Sequence, residues 1–230
     1  MRLDKFLTEC GVGSRKEVKE IISKGKVVVN DITTKNSQTN IDENNDIVIC
    51  NGEKLHYKKF RYYVLYKIAG YITATEDFRE KTVMELLPDW VVKKDLFPVG
   101  RLDKDTEGLL IFTNDGKFSH EVLSPKKHVD KTYYVELREN ISDEAIKRLE
   151  AGVEIGGHLT HPAKVEKIED KKILLTIDEG KFHQVKKMLI AVENEVTYLK
   201  RVSFGNLKLG NMKPGEVREI EREDVICTVD

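Results

Sequence analysis

Leu3, Phe6 and Leu7 recur at i, i+3 and i+4, and Val18, Ile21 and Ile22 repeat that spacing, so the start of the chain predicts two short amphipathic helices packed together. Ser14 followed three residues later by Glu17 reads as a capping box that opens the second helix, and Gly25 sits where that helix stops. KVVVN and DIVIC then read as strands bounded by Asn, Asp and Gly. After the short basic join HYKKF, the pattern changes. RYYVLYKIAGYITATED predicts a strand, a turn at Gly70 and a second strand, and TVMELL predicts a helical fragment. DKTYYVEL and ILLTIDEG read as strands, SDEAIKRLEAG as a helix capped by Ser142, and FHQVKKMLIAV as another helix. The fold class is α+β: a small module over residues 1–57, a linker at 58–60 and a larger mixed α+β domain over 61–230.

One stretch carries more chemistry than periodicity explains. GRLDKDTEGLL, residues 100–110, sets Asp103, Asp105 and Glu107 at alternate positions ahead of an apolar run. An EF-hand loop needs a bidentate Glu at its twelfth position, which here is Asn114, and a polar turn where this chain has Leu109 to Phe112. A phosphatase motif of the form D-x-D-x-T or V fails because its fifth position is Glu107. His158 and His161 lie three apart in a loop without a neighbouring ligand, so they read as surface residues. Neither a G-x-x-x-x-G-K-[ST] loop nor G-x-G-x-x-G occurs, so the chain predicts no metal and no cofactor.

Composition narrows the class. The 230 residues are 40% hydrophobic and 34% charged, an ordinary globular balance. No apolar run approaches the ~20 residues of a membrane span, and the acids in MRLDKFLTEC argue against a signal peptide. The expectation is a cytoplasmic monomer. Cys10, Cys50 and Cys227 are too widely spaced for a disulfide framework or a zinc ligand set. The formal net charge of -1 hides segregation: Lys181 to Lys213 carries net +5, and Glu139 to Gly180 net -4. Such a one-sided surface suits a polyanion.

Two resemblances give these residues roles. RLDKFL, GVGSRKEVKEII, GKVVVN and DIV resemble, in that order, the S4 RNA-binding module with its αL-type fold. That resemblance implies RNA contacts at Arg2, Lys5, Arg15, Lys16 and Lys19. VGRLDKDTEGLLIFTNDG, DKTYYVEL, EGKFHQVKKML and the tail VTYLKRVSFGNLKLGNMKPGEVREI resemble the ribosomal small-subunit pseudouridine synthase A family over nearly the whole chain. The resemblance implies a catalytic domain of pseudouridine synthase type with three catalytic residues: Asp103, Tyr133 stacking on the uracil, and Lys186 as the cation beside Asp103. Asp103 would be a nucleophile toward the ribose C1′ or the base of a glycal route. Tyr134 should face away from the site, because side chains alternate along a strand.

Flipping a uridine out of folded RNA costs a few kcal/mol. Arg101 is placed to fill the vacated space or to pair with Asp105 or Glu107. Lys126, Lys127, Lys181, Lys187, Lys200 and Arg201 would contact phosphates. Asp105, Thr106 and Glu107 are assigned to the turn and its support. The implied partner is rRNA, 16S within a small-subunit particle or assembly intermediate. The alternatives are 23S rRNA as substrate, or a noncatalytic S4-type ribosome-assembly protein. The chain departs from the family pattern at Tyr66 and Ile68, where asparagine and proline are usual, and at Glu193, where glycine is usual and a positive φ would be costly.

Overall fold

The computed structural model describes residues 1–124 and 127–226, and the chain divides into two compact units. The smaller comprises Met1–Phe60 with Asp89–Asp95, and the larger Arg61–Pro88 with Leu96–Asp230. In the smaller unit, α1 (Leu3–Glu9) and α2 (Arg15–Ser23) precede β1 (Val27–Val29), β2 (Ile32–Thr34), β3 (Val48–Cys50) and β4 (Glu53–Lys54). The strands form one antiparallel sheet in the order β2-β1-β3-β4. The capping box is formed: Ser14 accepts the Glu17 amide and Glu17 accepts the Ser14 amide. The core joins Leu3, Phe6, Leu7, Val18, Ile22 and Val27 with the buried Cys50. Asp89–Asp95 lies inside the 61–230 range yet belongs to this unit, where Lys94 pairs with Glu9 and Val92 packs against Gly11. Cys227 lies outside the described residues.

The larger unit begins with β5 (Tyr62–Lys67), a 3-10 turn at Val83–Leu86, β6 (Phe97–Val99) and β7 (Glu107–Thr113). It continues through α3 (Gly116–Leu123), β8 (Lys131–Leu137), α4 (Asp143–Ala151), the hairpin β9 (Glu154–Ile155) and β10 (His158–Leu159), then β11 (Lys164–Glu169) and β12 (Lys172–Ile177). The last elements are α5 (Gln184–Ala191), β13 (Val196–Phe204), β14 (Leu207–Lys208), β15 (Val217–Ile220) and α6 (Arg222–Val225). A nine-stranded sheet runs β11-β12-β8-β13-β7-β5-β15, with β6 beside β7 and β14 beside β13. β5 and β7 are buried almost throughout, which explains their continuous apolar sequence. No helix among the described residues is long and apolar enough to cross a membrane.

Two local expectations differ from the fold. The strand expected after Gly70 is reduced to an isolated bridge between Ile72 and Thr82, and TVMELL forms a 3-10 turn. Both segments find their backbone partners locally: Ile72 N–H donates to Lys81 O, and Val83 N–H donates to Ile72 O. The parallel pair β7 and β13 approaches so closely at Gly108, φ +100°, that a Cβ there would stand 2.2 Å from Arg201 O. Glycine is required at that point.

Lys67, at the end of β5, is completely buried. Its Nζ donates to the carbonyls of Thr106 at 2.7 Å, Asp103 at 3.1 Å, Ile68 at 3.2 Å and Lys104 at 3.3 Å. A single ammonium thus gathers the loop between β6 and β7. Gly70 N–H adds a bond to Lys104 O at 2.8 Å, and Thr73 Oγ1 both donates to Leu102 O and accepts from Leu102 N–H. Burial pushes the ammonium down to about 8 from 10.5, against the pull of Asp105, Glu107 and Asp103.

Two stability predictions follow from these backbones. Glu193 adopts φ +60°, the left-handed conformation its position demands, at the end of α5. Glu193→Gly relieves that strain, and denaturant melts should show a gain of roughly 0.5–1 kcal/mol after the larger unfolded-state entropy of glycine is subtracted. Lys67→Met takes a donor from four carbonyls, of which Lys104 O keeps the Gly70 N–H and Asp103 O keeps the Thr106 N–H, and should cost on the order of 3 kcal/mol. Between pH 8 and 10.5 the unfolded wild type binds more protons at Lys67 than the folded one, so wild-type stability should rise relative to Lys67→Met across that interval. A flat difference in paired melts would mean that the ammonium is not buried as a charge.

Candidate active site

The loop gathered by Lys67 turns Asp103 toward a cavity of about 580 Å³, in the size range of ligand pockets. The Asp103 side chain is 27% exposed. Two groups from the start of α5 meet it: Lys186 Nζ at 3.2 Å from one carboxylate oxygen and His183 Nε2 at 3.4 Å from the other. Lys186 also donates to both oxygens of Asp105, at 2.7 and 2.9 Å, so its charge is shared between two acids. Burial alone would lower the Lys186 ammonium, but the bonds to Asp105 and Asp103 prevail and hold it above its ordinary value. Asp105 is held low by the same lysine despite partial burial. Glu107 takes a different partner, accepting the Tyr198 hydroxyl at 2.7 Å.

Tyr133 stands on β8, 8% exposed, and lines the same cavity. In the β8–β13 register Tyr133 is opposite Arg201, and Tyr134 is opposite Lys200. Alternation sends the first pair to the cavity and the second to the other face of the sheet. There the Tyr134 hydroxyl donates to Glu136 at 2.9 Å, and Lys200 Nζ lies 5.2 Å from the Tyr134 ring. The structure thus brings Asp103, Tyr133 and Lys186 together from three separate segments.

The cations expected on phosphates divide. Arg2, Lys5, Arg15, Lys16 and Lys19 are exposed on or beside the paired helices of the smaller unit, with Arg2 forked onto Asp4. Arg101 is exposed at the cavity rim, while Asp105 and Glu107 are engaged elsewhere. Lys127 is exposed, 3.8 Å from Glu121, and Lys187 lies over the Phe182 ring at 5.0 Å. Lys126 lies outside the described residues.

Two of these expectations change, those for Arg201 and Lys181, and Lys200 is assigned to one face of the sheet. Arg201 is no surface contact: it is 2% exposed, forms part of the cavity wall and donates from Nε to Leu109 O at 2.7 Å. Lys200 is on the sheet face opposite the cavity, for the reason of alternation given above. Lys181 turns inward and pairs with Glu179 at 3.0 Å.

Sequence reasoning passes over three residues of this cavity. His183 adopts φ +53° just ahead of α5, a conformation that costs a non-glycine residue about 1–3 kcal/mol and aims Nε2 at Asp103. Its spacing of three from Lys186 is the signal that could have found it, since such residues share one helix face. Phe182 is 70% exposed at the cavity, its ring stacked on His183 at 3.8 Å. Lys131 is buried in the cavity wall, donating to Val129 O at 2.6 Å, and burial with the nearby Arg201 pushes it down to about 8.

Comparison with known proteins gives this geometry a context. Residues 61–191 match the RNA pseudouridylate synthase family, and residues 1–47 match the S4 domain. The chain is 48% identical to an uncharacterized RNA pseudouridine synthase of Bacillus subtilis, over 98% of this chain and 97% of that one. It is 39% identical to the ribosomal small subunit pseudouridine synthase A of Vibrio cholerae, covering 98% of each. It is also 35% identical to the ribosomal large subunit pseudouridine synthase B of Bacillus subtilis, over 97% of this chain and 93% of the relative. A crystal structure of a pseudouridylate synthase superposes with a TM-score of 0.68 at 31% identity, covering 98% of both chains. The chain therefore belongs to the RNA pseudouridylate synthase family, as an S4-bearing enzyme of the ribosomal small-subunit pseudouridine synthase A type.

Proposed function

We propose that this pseudouridine synthase isomerises one uridine of small-subunit rRNA, within an assembling particle in the cytoplasm, and that Asp103 is its catalytic residue. The observation that carries the reading is the Asp103 carboxylate, lodged at a cavity between Lys186 and His183 with Tyr133 in the same wall. Pseudouridine formation breaks the bond from uracil N1 to the ribose and rejoins the base through C5, without redox change. Attack at C1′ and proton abstraction in a glycal route both require an ionised carboxylate beside the ribose. Lys186 Nζ, 3.2 Å away, places a positive charge beside that carboxylate.

Tyr133 stacks on the detached uracil and keeps it from leaving while it turns. Phe182 offers a second aromatic face at the cavity, suited to an unstacked base. Arg101 at the rim occupies the gap left by the flipped nucleotide. The exposed cations of α1 and α2 hold RNA phosphates, so affinity falls steeply with salt. The chain acts as a monomer. Similarity to the small-subunit enzyme of Vibrio cholerae supports the choice of subunit, and the likeness to a large-subunit enzyme of Bacillus subtilis makes 23S rRNA the second reading.

The test is tritium release from rRNA labelled at uracil C5, offered as small- and large-subunit RNA and as particles. Wild type should release tritium from small-subunit material, and Asp103→Asn from none. Release from large-subunit material alone would transfer the assignment to the second reading, and no release from any substrate would sink both. Lys186→Met removes a charge aimed at the carboxylate and should lower single-turnover rates by about a hundredfold or more. Unchanged rates would remove Lys186 from the chemistry.

A further inference from the structure

His128, His161 and Asp178 stand far apart in sequence and play no part in the reaction proposed above. His128 follows α3, His161 lies between β10 and β11, and Asp178 directly follows β12. Folding brings them to one point. The Asp178 carboxylate receives His128 Nδ1 at 2.6 Å on one oxygen and His161 Nδ1 at 3.0 Å on the other. One nitrogen or oxygen from each residue lies within 4.8 Å of the others, and the imidazoles sit 5.5 Å apart at a tilt of 34°.

We propose that His128, His161 and Asp178 bind a divalent transition-metal ion of the zinc class, through two imidazole nitrogens and one carboxylate oxygen. Three arguments support it. Two imidazoles with one carboxylate suit zinc and its transition-metal neighbours, whereas magnesium and calcium take oxygen donors. The ligands come from three chain segments fixed by the β8–β12 sheet and its flanking loops, so the site is assembled by the fold. The third argument is orientation. The far nitrogen of His161, Nε2, lies 3.9 Å from Glu179 Oε1, beyond hydrogen-bond reach as it stands, and a small turn of the ring on metal binding would bring that carboxylate into the outer position it takes beside metal-bound imidazoles. Glu179 is itself fixed, accepting from the His161 backbone N–H and from Gln184, both at 3.0 Å.

An ion here ties the end of β12 to the segment leading into β8. Asp178 and Lys131 both line the reaction cavity, and Asp178 O lies 3.4 Å from Lys131 Nζ. The role is structural: the ion braces one wall of the cavity and supplies no step of the isomerisation.

The test uses the untagged, chelator-stripped full chain, titrated with zinc chloride by calorimetry and with Co2+ by visible absorption near neutral pH. One ion per chain is expected, with a cobalt spectrum of low coordination number and an upward shift of the melting temperature on binding. His128→Ala and His161→Ala should each weaken zinc by about tenfold or more, a loss at least as large as that from removing an outer partner of a metal ligand. His158→Ala, beside the cluster, should leave binding unchanged. His128 is 58% exposed, so its variant should fold without metal and decides the matter if His161→Ala does not. No saturable binding, or equal binding by wild type and His128→Ala, would overturn the proposal.

Discussion

Four carbonyl oxygens around one buried ammonium set the shape on which the rest of the larger unit depends. A loop carrying three acids in five residues would by repulsion prefer to spread into water. Lys67 turns the inward-facing backbone of that loop into a set of acceptors, and the acids are left at its outer edge. The lysine is costly to bury, as its lowered affinity for the proton shows, and the cost is offset by four hydrogen bonds and three nearby carboxylates. With that cluster in place, the bonds of Thr73 to Leu102 and of Gly70 to Lys104 complete the setting from which Asp103 points.

The sheet then does the sorting. Because neighbouring residues on β8 and β13 go to opposite faces, one aromatic and one cation from each adjacent pair are assigned to the cavity while their neighbours form a separate polar cluster behind it. Gly108 makes this possible by allowing β7 and β13 to come together just beyond the acidic loop. The cavity wall therefore includes charged groups shielded from solvent, Lys131 and Arg201 among them.

Much of this was legible in the sequence where short-range rules act. The capping box at Ser14, the Ser142 cap and the opposite facing of Tyr133 and Tyr134 all follow from spacing alone, whereas the choice of Tyr133 for the cavity came from the resemblance. The four motif matches in order pointed to the family, and comparison with known proteins shows it. What could not be read depends on partners distant in the chain. Nothing in LYKIAG says that its lysine will face four carbonyls, and nothing in LKRVSF says that the arginine is buried while the lysine beside it is not. His161 looked isolated because its companions are 17 and 33 positions away, a distance that only the sheet closes. The failed strand after Gly70 shows the converse: a β-prone sequence that pairs only with the segment just after it settles for local bonds.

Asp89–Asp95 adds a constraint of a different kind. The boundary between the two units is crossed by the backbone at three places, after Phe60, after Pro88 and after Asp95. A gene fragment beginning at Arg61 would not be a clean catalytic half: it would still encode Val92 and Lys94, whose partners Gly11 and Glu9 it had lost. The smaller unit cut at Phe60 would likewise lack part of its own surface. Modular as the two units look, recombination cannot exchange either one at a single joint, and a transplant would have to carry a short second insert with it.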